Sequence, residues 1–218
     1  MGLIVRPYKS VFKTYVRKNA RLTPMGQRDD LLAGAKTCLI EKGYSRTTAR
    51  DIAAASGAHL ASIGYHFGSK DNLMNTAVLE VTGEWGDHIL EAATRAAQAA
   101  TPGDRLRLML EELLAALPRD RSLLVASVQA YAQAQFAEQV RAPLAEAVEE
   151  GRAGLAAAYL GVAPADVDAA TARGLGALLY SVIVGLVVQS LVAPPPLPTA
   201  SELGEAIALL ASPAAQPR

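Results

Sequence analysis

The chain holds one cysteine, three histidines and one tryptophan among 218 residues, and aromatic residues make up only 5 % of it. A single cysteine, Cys38, excludes a disulfide within the chain and fits a reducing cytoplasm. His59, His66 and His88 have no ligand-spaced partner of the His-x3-His kind, which removes the case for a metal site. No glycine-rich phosphate loop and no nucleophile elbow occurs. The carboxylate pairs Glu111-Glu112 and Glu149-Glu150 are adjacent, so on helices they point apart and read as solvated faces rather than an acid/base dyad. The expectation is a protein with no catalytic residue, no metal and no cofactor, and not an enzyme. Repeats at solenoid spacing are absent as well.

Net charge is also lacking, because Lys+Arg and Asp+Glu cancel at 21 each. The cancellation hides a polar molecule. Residues 1–50 hold 11 of the basic and 3 of the acidic residues, so +8 precedes −8 in the remainder. Such a front end suits phosphate contacts, and the acidic remainder argues against general adhesion to polyanions.

What is present is helical. Alanine and leucine dominate beyond residue 90, and runs of β-branched residues are few. The stretch Thr47–Leu73, TTARDIAAASGAHLASIGYHFGSKDNL, reads as two short helices around a glycine turn, followed by a third helix start. Thr47 or Thr48 can cap the first helix, and Thr48-x-x-Asp51 is a near capping box with Asp in the usual Glu or Gln place. Gly57 is free to take the left-handed conformation of a tight turn. The next helix, about Ala58 to Tyr65, buries Ile63. Upstream, Leu31, Ala35, Cys38 and Leu39 form one face of a supporting helix that Gly43 ends, and downstream Ser69 caps a further helix. Helix, short turn and second helix describe a helix-turn-helix, whose second helix reads base edges in the major groove. A helical hairpin within an ordinary bundle is the competing reading.

TTARDIAAASG followed by SIGYHFGSKDNL resembles the DNA-binding domain of TetR-family transcriptional regulators, over about Arg28 to Leu79. The resemblance implies an all-α homodimer, with a three-helix head and a larger C-terminal bundle, about nine helices in total. It implies a repressor that leaves its near-palindromic operator in double-stranded DNA when a small molecule fills the C-terminal domain. By position, Thr47, Thr48, Tyr65, His66 and Lys70 match phosphate contacts and Arg50 a residue that also reaches bases. His59, Leu60, Ala61 and Ser62 then set the sequence preference. Ser62 suits several base edges, and Leu60 or Ala61 a thymine methyl. With no Arg, Asn or Gln among these four, more of the readout falls to Arg50 and to DNA shape. Two departures stand out: Gly64 replaces a common aromatic, and Ala58 a common valine. A helical carrier or interaction protein without operator recognition is the alternative function.

Three domains are expected: a basic arm 1–27, a head 28–73 and a body 74–218 for ligand binding and dimerisation. The arm has six basic and no acidic residues, contains Pro7 and Pro24, and lacks the apolar run of a secretory signal. It reads as an arm that enters a minor groove, as a solvated tail, or as residues 1–24 outside the natural protein with Met25 as the start. In the body, helix stops are expected at Thr101–Asp104, Pro118 and Gly161–Pro164, with an extended connector over Ala193–Pro198. Gly174–Ala193 is almost long and apolar enough for a membrane span, but it carries Ser181, Gln189 and Ser190 and no basic cluster follows it. It reads instead as a dimer helix with no membrane role, meeting its mate through Ala177, Ser181, Gly185 and Val188. The resemblance places the ligand pocket between about Trp85 and Tyr180, with Trp85, His88, Met109, Gln129, Tyr131, Gln133, Phe136 and Tyr180 as lining candidates. Few cations fall there, which points to an uncharged or lipophilic effector. Localisation is expected to be cytoplasmic.

Overall fold

The computed structural model describes residues 26–99, 101–192 and 197–211, and among these every regular element is a helix. The elements are α1 (Gln27–Lys42), α2 (Ala49–Ser56), α3 (Ala61–Phe67), α4 (Lys70–Ala96), α5 (Pro102–Arg119), α6 (Arg121–Gln133) and α7 (Glu138–Leu160). After a 3-10 turn at Pro164–Asp166 come α8 (Ala169–Val192) and α9 (Ala200–Ala211). The all-α expectation holds, with nine helices among the described residues. The predicted basic arm, apart from Gly26 and Gln27, and most of the predicted connector at Ala193–Pro198 lie outside them.

The described residues fall into two compact units, one of 26–88 with 120–151 and the other of 89–119 with 152–211. The unit holding the head contains all of residues 28–73. It runs on along α4 and takes in α6 and the first part of α7. In this unit α1 packs on α2, α3 and α6. Leu31, Leu39, Ile52, Leu73, Met74, Val78, Leu79, Val81, Leu124 and Val140 are its fully buried large side chains. The predicted α1 face (Leu31, Ala35, Cys38, Leu39) is buried throughout. Lys36 on that helix pairs with Glu84 and lies 3.7 Å from Glu80, which ties α1 to α4.

The second unit builds its core from small residues. Ala93, Ala96, Ala97, Met109, Leu155, Ala158 and Leu179 are buried together, with Tyr159, Tyr180 and Ile183 packed against them. Small residues let helix backbones approach closely. A Cβ on Gly176 would collide with the carbonyl of Arg152, and one on Gly154 with Leu90. Gly176 closes a π-helical turn, Ala172–Gly176, in α8. Arg105 joins loose helix ends: Nε donates to Ala99 O at 2.9 Å and a terminal nitrogen to Tyr159 O at 3.3 Å. Both α8 and α9 pack on α5.

Several predicted boundaries move. Pro118 does not stop α5, which runs to Arg119; the break falls at Asp120, whose backbone leaves the helical region. Pro143 lies inside α7, which begins at Glu138, and a proline so early in a helix forfeits only one ladder bond.

Candidate nucleic-acid interface

The head is built by local chemistry. Thr48 caps α2: its hydroxyl accepts from Asp51 N at 3.2 Å, and the Asp51 carboxylate accepts from Thr48 N at 2.8 Å. Lys42 Nζ reaches the same carboxylate at 2.6 Å. The Lys42 ammonium, then the Thr48 hydroxyl and N–H, hold the Asp51 carboxyl well below the usual range. Gly57 turns the chain at φ +66°, in the left-handed region, and Ser56 Oγ accepts from Ala58 N at 3.3 Å.

The second helix of the motif starts three residues later than predicted, at Ala61, and extends to Phe67. His59 and Leu60 stand in the turn before it, where the backbone already bends through Ser62 N donating to His59 O at 2.9 Å. Ile63 is buried as expected. Leu60, Ala61, Gly64 and Tyr65 are exposed, Tyr65 at 68 %, while Ser62 and His66 are half-buried. A Cβ on Gly64 would meet nothing within 4 Å, so this face of α3 is open and low in relief. Tyr65 and His66 rings meet edge to face at 4.9 Å, and His66 Nδ1 is buried with no hydrogen-bond partner among the described residues.

Of the predicted phosphate contacts, Thr47 is displaced by its packing. It is 3 % exposed, and its hydroxyl faces the carbonyls of Gly43 at 2.8 Å and Cys38 at 3.2 Å. It staples the α1–α2 turn instead of facing outward. Thr48 is exposed but engaged in the cap, and Arg50 is exposed on α2. Lys70 begins α4 behind the cap of Ser69, whose Oγ accepts from Asn72 N at 3.1 Å. Its ammonium lies 5.7 Å from the centre of the Tyr44 ring, 3.4 Å from Thr47 O and 3.0 Å from Asp71. Arg28 stacks over Phe67 at 5.0 Å. The described head is less cationic than its first fifty residues suggested, because Lys36 and Lys42 are paired to carboxylates and most of the excess lies in the arm.

Two residues that sequence reasoning passed over are central here. Tyr44 N donates to Gln129 Oε1 at 3.2 Å, and Tyr44 Oη donates to Asn75 Oδ1 at 2.7 Å. Burial, with a smaller contribution from Asp71, pushes the Tyr44 phenol up to about 12. A tyrosine directly after a helix-ending glycine is a faint signal; Asn75 has none.

The predicted pocket residues divide between the two units. Trp85 is buried in the head's unit, and His88 Nδ1 lies 3.6 Å from Asp120 there. Gln129 is spent on Tyr44, Tyr131 and Gln133 are half-buried, and Phe136 is 86 % exposed in the α6–α7 turn. Met109 and Tyr180 belong to the core of the other unit. Phe136, a lining candidate in the segment where the resemblance places the pocket, faces solvent in this structure.

On α8, Leu178 and Val192 are 60 % and 80 % exposed, and Ser181 and Val188 are exposed beside them. With Gly174 and Gly185 these recur at alternating intervals of four and three residues, a heptad seam. The predicted every-fourth face included Ala177, which lies to the side and is half-buried. On α9, Leu209 and Leu210 are exposed as well. By length and composition α8 is apolar enough to cross a membrane, but only 22 % of its most apolar stretch is buried, unlike an ordinary core helix.

With this geometry in hand, residues 31–77 match the bacterial regulatory proteins of the tetR family, and residues 102–211 match the BetI-type transcriptional repressor C-terminal region. The chain belongs to the TetR family. The transcriptional repressor AcnR of Corynebacterium glutamicum is 40 % identical over 50 residues, covering 23 % of this chain and 27 % of AcnR. The match thus spans about a quarter of that repressor's length. The transcriptional regulator BetI of Rhizobium meliloti is 27 % identical over 153 residues, covering 70 % of this chain and 74 % of BetI. Among solved structures, the transcriptional regulator SCO7518 of Streptomyces coelicolor A3(2) is 28 % identical with a TM-score of 0.61, covering 84 % of this chain and 97 % of that one. The multidrug binding protein EbrR, complexed with imidazole, is 26 % identical with a TM-score of 0.64, covering 89 % and 100 %. The family and these relatives are regulatory or binding proteins rather than enzymes.

Proposed function

We propose that this TetR-family protein is a dimeric, sequence-specific repressor that leaves its operator when a small, uncharged or lipophilic molecule binds the body. The observation that carries this reading is the exposed run Leu60, Ala61, Gly64 and Tyr65 at and just before α3, in a head that also carries Arg50, exposed on α2, and Lys70 at the start of α4. A face so low in relief admits close approach to a groove, and the head's cations meet the phosphates. Shape and Arg50 supply much of the readout, because the face offers few hydrogen-bonding side chains.

Two heads are needed to read a near-palindrome, with half-sites about one helical turn or a multiple apart. The seam on α8 supports a second copy of the chain as its cover. Each Leu or Val fully buried there contributes roughly 1.5–3 kcal/mol. This also accounts for an apolar helix without a membrane, and a DNA-bound regulator works in the cytoplasm. AcnR is a transcriptional repressor and EbrR a multidrug binding protein, which supports the sense of regulation and the effector, respectively.

The test is selection of duplexes from a random pool by the full chain, followed by footprinting across a salt series. Enriched duplexes with two-fold related half-sites and salt-sensitive affinity are expected. Equal weak binding to every duplex overturns the proposal in favour of a carrier or interaction protein.

A further inference from the structure

We infer that Gln129, on α6, positions the phosphate-facing cation Lys70 by way of Tyr44, so that the seat of α6 sets how tightly the head holds DNA. The inference rests on the proposed reading of Lys70 as a phosphate contact.

The chain of contacts begins where α1 ends. Gly43 leaves the helix at φ +81°, and its own N–H is satisfied by Leu39 O at 3.0 Å. The next N–H, that of Tyr44, has left the helical ladder and needs another acceptor. Gln129 Oε1 supplies it at 3.2 Å. The same amide sits against the turn, since its Nε2 would lie 3.1 Å from a Cβ placed on Gly43. A glycine is therefore required twice at this position, for its conformation and for its closeness to α6.

Tyr44 is held at its other end too. Its hydroxyl donates to Asn75 on α4, and Asn75 is only 4 % exposed, so the ring is pinned between two helices. Onto the free face of that ring comes the Lys70 ammonium, which also donates to Thr47 O. Thr47 is itself locked by its hydroxyl to Gly43 and Cys38. The π-face and the carbonyl thus hold the cation at the surface without neutralising it. Asp71, at 3.0 Å, is a competitor that a phosphate displaces. All of these groups belong to one compact unit, in which α6, like the first part of α7, does not come from the head's own sequence segment.

The test uses the full chain and a duplex that the wild type selects from a random pool. Lys70→Ala is expected to lower affinity about tenfold and the salt slope by about one per head. Gln129→Ala should reproduce about fivefold of this, and Tyr44→Phe, which loses only the Asn75 bond, two- to threefold. In a Lys70→Ala background both should change affinity by less than twofold, the sign that they act through Lys70. Wild-type affinity and slope in a folded Gln129→Ala protein overturn the inference, as does a penalty from either variant that persists without Lys70. The seat is also read without DNA. After reductive 13C-methylation, the Lys70 signal, assigned by its loss in Lys70→Arg, should move towards the free-lysine position in Gln129→Ala. An unmoved signal sinks the inference even if no duplex is selected, an outcome that would separately sink the repressor reading.

Discussion

Replacing Gly64 by alanine separates the stability of the head from its grip on DNA. The residue sits inside α3, its backbone is helical, and an added Cβ meets nothing within 4 Å. No steric cost therefore opposes the helix-propensity gain of about 1 kcal/mol for Gly→Ala. For a chain of this size that amounts to a rise in Tm of roughly 2–4 °C. The same substitution at Gly34 should have the opposite sign. There the Cβ would lie 2.9 Å from both Cβ and N of Ser56 and 3.1 Å from Ile52 O, groups of α2 that cannot swing aside. Overpacking of about 1–3 kcal/mol offsets or outweighs the propensity term, leaving a net loss of up to about 2 kcal/mol. Thermal unfolding followed by far-UV circular dichroism measures both. Operator binding adds the second axis: Gly64→Ala puts a methyl on the face proposed to close on the groove, so affinity should fall about fivefold or more while stability rises. A lower Tm in Gly64→Ala would show that the α3 face is not open. A higher Tm with unchanged or tighter binding would show that this face does not meet DNA.

Two further expectations concern charge and assembly. Because the folded Asp51 carboxyl titrates below its unfolded value, its contribution is present above about pH 3.9 and is lost as the pH falls through the lower folded value. The stability gap between the wild type and Asp51→Asn should therefore be widest near neutrality and shrink below about pH 4, as read by denaturant titration at each pH; a gap that widens on acidification refutes the assignment. Leu178→Arg and Val188→Arg place a charge on the α8 seam, and each should yield a monomer in sedimentation and lose operator binding, whereas wild-type dimers from both would remove α8 from the interface.

Much of the head is legible because its determinants are local. Thr48 and Asp51 are three residues apart, the distance a capping box requires, so the cap follows from the sequence and is found as expected. Gly43 and Gly57 mark turns that only positive φ allows, and Leu31, Ala35, Cys38 and Leu39 recur on one helical face that must be buried. The start of α3 was less legible, because no side chain caps it and the turn through His59 and Leu60 already looks helical in pattern.

The chain alone thus determined an all-helical protein, a capped helix-turn-helix and a polar imbalance, since each follows from neighbours within one or two helical turns. Tertiary packing decided the rest. Thr47 turned inward because two carbonyls and a crowded turn lay behind it, not because threonine prefers burial. Gln129 met Tyr44 across 85 residues, a separation at which no periodicity carries information. Met109 joined a buried alanine-rich cluster and Tyr180 packed against it, because an apolar side chain takes whichever closely packed neighbours the fold supplies.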